Sequence, residues 1–151
     1  MKGAEHVGRR AEVLAELFLQ ELEPEFLAKA PSENFAFDFL IGFLNEEGGF
    51  NSFAVEVKAT ETPVSGEYSV KRNLFRKMAN SNIPVLLLVI DVKRNELFFA
   101  WPEEGNIAKA DRGSVVIPLK KIDETSKMEL RLQMIQMSGD ESAVEEKAST
   151  A

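Results

Sequence analysis

Apolar residues return every three or four positions across residues 7–22, where Val7, Ala11, Leu14, Ala15, Phe18 and Leu22 share one stripe and Arg9, Arg10, Glu16 and Gln20 lie off it. That period predicts an amphipathic helix, ended by Pro24. The period then drops to two. Phe35–Ile41, followed by Gly42, and Phe53–Ala59 alternate on either side of the turn-forming Asn45–Gly49, which predicts an antiparallel hairpin. A short third strand is expected at Glu67–Val70 and a helix over Lys71–Ser81, with Val70, Leu74 and Met78 on its apolar side. Val85–Ile90 is unbroken and rich in branched residues, the pattern of a strand covered on both faces. Leu97–Trp101 and Ser114–Ile117 read as a closing hairpin ended by Pro118. Asp123–Met137 reads as a last helix, with Met128, Leu130, Leu132, Met134 and Ile135 available for packing. The order is that of a mixed α/β domain.

Composition narrows this picture. The 151 residues are 44% hydrophobic and 28% charged, values of a folded globular chain, and the length suits one domain over residues 1–137. The remainder, residues 138–151, turns polar and acidic and is expected to be a disordered tail. The longest apolar run, Ile83–Ile90, is far too short to cross a membrane, and the N-terminus lacks the apolar core of a signal peptide. There is no cysteine, which excludes disulfides and thiolate metal sites and fits a reducing cytoplasm.

The formal net charge of −7 argues against an obvious nucleic-acid binder, but the charge is uneven. In the tail, four acids against Lys147 give −3, whereas Tyr68–Ile90 holds Lys71, Arg72, Arg76 and Lys77 and no acid. Those four cations could track a phosphate backbone; a solvated helix face accounts for them equally well.

Strand alternation supplies the candidate chemistry. Phe35, Phe37, Phe39 and Ile41 are expected on one face of their strand, with Ala36, Asp38 and Leu40 on the other. Likewise Val55, Val57 and Ala59 oppose Ala54, Glu56 and Lys58. If the strands pair in the obvious way, Asp38 and Glu56 converge with Lys58 close by. Two carboxylates and a lysine suit Mg²⁺ or Mn²⁺, which would polarise a phosphoryl oxygen and activate a water, with the lysine orienting that water or countering developing charge. On pattern alone, an ordinary salt-bridged hairpin face is the stronger reading of the same residues. His6, the only histidine, reads as a bystander near a terminus, and Phe98, Phe99 and Trp101 as core or interface.

Together, Gly8-Arg-Arg-Ala-Glu12, Asp38, and Glu56-Val57-Lys58 in Ala54–Thr60 resemble the PD-(D/E)XK nuclease superfamily. More narrowly, with Ile83–Asp91 and Leu97–Trp101, they resemble domain-of-unknown-function family 4365 (DUF4365), placed within that superfamily. Phe37 stands where the name-giving proline would be. The resemblance implies a restriction-endonuclease-like fold, a mixed β-sheet core flanked by helices in the order α-β-β-β-α-β. It implies Mg²⁺ or Mn²⁺ held by Asp38, Glu56 and the Val57 carbonyl, with Lys58 positioning the water. Glu12 would be an outer or second-metal ligand, with Glu16 held in reserve. The activity implied is metal-dependent hydrolysis of DNA, in prokaryotic defence or DNA processing, by a homodimer or with a partner protein. The alternative is a catalytically silent module of the same fold that binds nucleic acid or a protein through the 98–101 segment.

Overall fold

The computed structural model describes residues 2–31 and 37–137. In chain order these form α1 (Lys2–Glu21), β1 (Phe26–Lys29), β2 (Phe39–Leu44), β3 (Phe50–Thr60), β4 (Glu67–Lys71), α2 (Arg72–Ala79), β5 (Val85–Asp91), β6 (Glu96–Ala100), β7 (Lys109–Ala110), β8 (Ser114–Pro118), β9 (Lys120–Lys121) and α3 (Glu124–Gln136). The expected acidic tail, and Phe35 and Ala36 of the first expected strand, lie outside the described residues. No described helix is long and apolar enough to cross a membrane.

The main sheet is mixed, with strand order β1-β2-β3-β5-β6-β9. β3 runs parallel to β5, Val57 opposite Leu88, and antiparallel to β2, Phe39 opposite Val55. All seven residues of β5 are buried, as its unbroken apolar run requires. Its alternate side chains feed two separate cores. Leu86, Leu88 and Ile90 join Val55, Phe39 and Ile41 beneath the α1 stripe of Ala11, Ala15, Phe18, Leu19 and Leu22. Val85, Leu87 and Val89 join Ala54, Phe98 and Ala100 beneath Phe75 and Met78 of α2. The sheet is thus a filling between two layers, each gaining apolar burial from one side of the same strands.

Several elements differ from the sequence expectation. α1 begins well before Gly8, which therefore lies inside the helix rather than at its start. β1 had no counterpart in the sequence reading: it adds to the sheet edge with Phe26 opposite Gly42. Gly42 lies within β2 rather than after it, because the Phe26 ring covers it; a Cβ there would come within 2.1 Å of that ring. Glu67–Lys71 and Ser114–Pro118 pair with each other, joined by β7, in a second sheet of order β4-β8-β7. The expected hairpin between Leu97–Trp101 and Ser114–Ile117 does not form. β6 pairs instead with β5 and β9. Alternation in β8 buries Val115 and Ile117 only, and the small sheet turns that one apolar face, with Val70, into the second core.

α3 starts on a capping box, in which Asp123 accepts from the Ser126 N–H and the Ser126 hydroxyl accepts from the Asp123 N–H. It buries Leu130 and Met134, whereas Met128 and Leu132 face outward. Phe98 and Phe99 are buried on opposite faces of β6, so neither ring is available to a partner, whereas Trp101 is partly exposed. Trp101 leans on Phe53, ring centroids 5.6 Å apart, and its indole N–H donates to Gln133 of α3.

The double burial of β5 predicts its sensitivity. Leu88→Ala should lower the unfolding free energy by about 2–5 kcal/mol, measured from the urea midpoint and slope of the two proteins.

Candidate functional site

β2 stops pairing one residue after Asp38, while β3 continues to Thr60. The extra length of β3 leaves Glu56, Val57 and Lys58 beside the opened end of its neighbour. Phe37 and Asp38 form a bend there. The Asp38 N–H donates to the carbonyl of Val55, the register partner of Phe39, so two residues of this strand address one of β3 in the manner of a bulge. The offset overturns the expected alternation: Phe37 joins the α2-side core and Phe39 the α1-side core. It also sends the Asp38 carboxylate along the strand edge, where Oδ2 accepts the Val57 N–H at 2.7 Å. A strand residue directs its carbonyl to the same edge as its N–H. The Val57 carbonyl therefore opens on the Asp38 side, past the last β2 pairing.

Asp38 lies between two groups of charges. On the α1 side it lines a hollow of about 690 Å³ with Glu12, Val57 and Ala59. Glu12 holds Lys29 of β1 at 3.6 Å. On the α2 side are Glu56, its side chain only 13% exposed, and Lys58, whose Nζ lies 3.8 Å from Glu56 Oε1. Lys77 reaches in from α2, its ammonium 5.2 Å from the centre of the Phe37 ring.

These charges act on one another. Burial raises the Asp38 carboxyl above its ordinary range; the Val57 N–H pulls it back, Glu12 adds to the rise, and Lys58 and Lys77 oppose it. Burial also raises Glu56, reinforced by the Asp38 charge and opposed by Lys58 and Lys77. Two half-buried acids thus resist ionisation side by side, chiefly because they are buried, and a functional site is one setting where such shifts gather.

The donor set can be tested against the expected metal. Among the described residues, no three His, Cys, Asp or Glu side chains gather into a ready-made metal centre. Mg²⁺, however, is commonly bound by one or two carboxylates plus substrate phosphate, keeping several waters. Asp38, Glu56 and the Val57 carbonyl meet that smaller demand with hard oxygen donors. The residues fit the group.

Of the other expected residues, Glu16 sits half-buried farther along α1 and does not share the wall of the hollow. The four cations do not form one patch. The Arg72 guanidinium is engaged by the main-chain carbonyls of Asp111 and Arg112, Lys77 stands beside the acids, and Lys71 and Arg76 face solvent. The sequence reading missed Lys29, which came with the missed β1. It also missed Arg9 and set aside His6, both of which line the hollow. The spacing of His6, Arg9 and Glu12 on one helix was the available signal.

No protein-family model matches the chain, the DUF4365 resemblance included. A search of curated proteins likewise finds no match. Among solved structures, the chain described as "The structure of a bacterial homing endonuclease: I-Ssp6803I" is similar over 80% of this chain and 80% of its own, with 15% identity and a TM-score of 0.47.

The raised acids carry a stability signature. For a carboxyl whose folded pKa lies above its unfolded one, ionisation opposes folding; the penalty is absent below the ordinary values, 3.8 for Asp38 and 4.5 for Glu56, and complete above the raised ones. Glu56→Gln should therefore be more resistant to urea than the parent at neutral pH. The difference should close as pH falls through the carboxylate range, followed as urea midpoints across a pH series.

Proposed function

We propose that this protein is a metal-dependent phosphodiester hydrolase acting on DNA. The observation that carries the reading is the convergence of Asp38 and Glu56 at the opened end of β2, with Lys58 paired to Glu56. The motif resemblance to the PD-(D/E)XK nucleases supports it, as that superfamily places an acid on one strand and acid-x-Lys on the next.

Asp38, Glu56 and the Val57 carbonyl would hold Mg²⁺ or Mn²⁺, which supplies Lewis-acid polarisation of the phosphoryl oxygen and a more acidic bound water. The chain's own groups do the rest. Asp38 is fixed by the Val57 N–H, so its free oxygen needs little reordering on binding. Lys58 brings its ammonium to the negative charge that grows on the non-bridging oxygens, where a fixed cation is worth more than in water. As the water oxygen bonds to phosphorus, the phosphorus–ester oxygen bond breaks. The leaving oxygen takes a proton and the attacking water gives one up to solvent. Glu12 and Lys29 flank the Asp38 side, while Lys71 at the end of β4 and Arg76 on α2 are free to meet backbone phosphates.

Purified protein is expected to cleave DNA in Mg²⁺ or Mn²⁺ and not in a chelator. Asp38→Ala, Glu56→Ala and Lys58→Ala should each slow cleavage by at least about a hundredfold while keeping the circular-dichroism spectrum of the parent. Undiminished cleavage by the Glu56 variant would overturn the assignment. Independently of activity, Mn²⁺ should raise the melting temperature of the parent, as a ligand of the folded state must, and raise that of Glu56→Ala much less. Metal and DNA binding with no cleavage in any DNA form would instead support the silent binding module.

A further inference from the structure

The hollow beside Asp38 is larger than a phosphodiester needs. At about 690 Å³ this half-open hollow has room for a whole small molecule, as pockets of about 300–1,000 Å³ do. Its walls differ in charge. Asp38 comes from the sheet edge and Glu12 from α1, and Arg9 and His6, both exposed, supply donors from α1 as well. Among the described residues its lining is otherwise small, and Gly8 is its most telling member. Glycine inside a helix weakens it, and here no packing demands it, because a Cβ at Gly8 would meet nothing within 4 Å. What the missing side chain leaves is open space in the wall of the hollow.

We infer that this hollow seats one unpaired nucleotide next to the scissile phosphodiester, its phosphate bound by Arg9 with His6 beside it. The inference rests on the hydrolase reading and names its substrate class: single-stranded DNA, or duplex whose end has frayed. A nucleotide held in a duplex stack cannot enter a pocket of this kind without being unpaired and unstacked, an expense that single strands largely avoid. The guanidinium of Arg9 offers paired donors to phosphate oxygens, one turn of α1 before Glu12 in the same hollow as Asp38.

The test measures binding rather than turnover. The full chain in a chelator, where no metal-dependent cleavage competes, is titrated with a short single-stranded oligonucleotide and with the same strand annealed to its complement, each with and without a terminal phosphate. The single strand should bind about tenfold more tightly than the duplex. Arg9→Gln and Gly8→Leu should each remove about a tenfold share of single-strand affinity, with duplex binding unchanged and neither variant melting below the parent. Leucine is the better helix former, so Gly8→Leu fills the hollow without threatening α1.

A gain from the terminal phosphate would assign the subsite to strand ends. Equal binding without it would assign the subsite to internal unpaired nucleotides; either result supports the inference. Equal affinity for duplex, or parental single-strand binding by both variants, would overturn it. Cleavage that persists with a preference for duplex overturns the subsite alone, whereas single-strand binding through Arg9 and Gly8 without metal-dependent cleavage overturns the hydrolase reading alone.

Discussion

A strand with no face for solvent organises this molecule. Because every residue of β5 is buried, both sides of the sheet must be covered, and the chain spends α1 and α3 on one side and α2 with a second sheet on the other. β3, hydrogen-bonded in parallel to this strand along Ala54–Thr60, inherits its rigidity. The candidate acids therefore stand on or against core-anchored strands rather than on loops, the placement that holds chemical groups in fixed geometry. Where β2 ends early, β3 is left with one bonded edge and one open edge, and it is the open edge that carries the Val57 N–H and carbonyl.

The same geometry explains why the site is electrostatically uncomfortable. Glu56 is held nearly out of solvent on a strand that cannot move aside, and Asp38 is tied by a 2.7 Å bond to the neighbouring residue. Burial holds both acids above their ordinary range, and the Asp38 charge adds to the rise at Glu56. Lys58 and Lys77 offset part of it. Discomfort of this kind is expected where a protein keeps a place for an external charge, at some expense to its own stability.

Much of the architecture was legible in the sequence, and the failures have physical causes. The α1 stripe, the antiparallel pairing of the strands expected at Phe35–Ile41 and Phe53–Ala59, and the buried run of β5 could be read because periodicity and burial are the same information. The partners of β4 and β8 could not, since alternation reveals which face is apolar and not which strand lies alongside. β1 was too short and too exposed to announce itself. At Phe37–Asp38 a one-residue bulge moved Phe37 to the opposite core, a change no two-residue repeat can encode. Asp38, Glu56 and Lys58 were legible as a constellation. The company of Lys29, Lys77, Arg9 and His6 was not, because it depends on how α1, α2 and the sheet edge come together.

The molecule contains one tryptophan and one tyrosine, and the fold has put them on opposite sides of the sheet. Trp101 packs against the α1 and α3 layer, bonded to Gln133, whereas Tyr68 packs against the α2 layer from the second sheet. Each layer thus carries its own intrinsic chromophore. Loss of α3 from the sheet would register in indole emission, and loosening of the small sheet in the ultraviolet absorbance of the phenol. Whether the two halves of the sandwich come apart together or in turn is therefore written into the spectroscopy of the unlabelled chain.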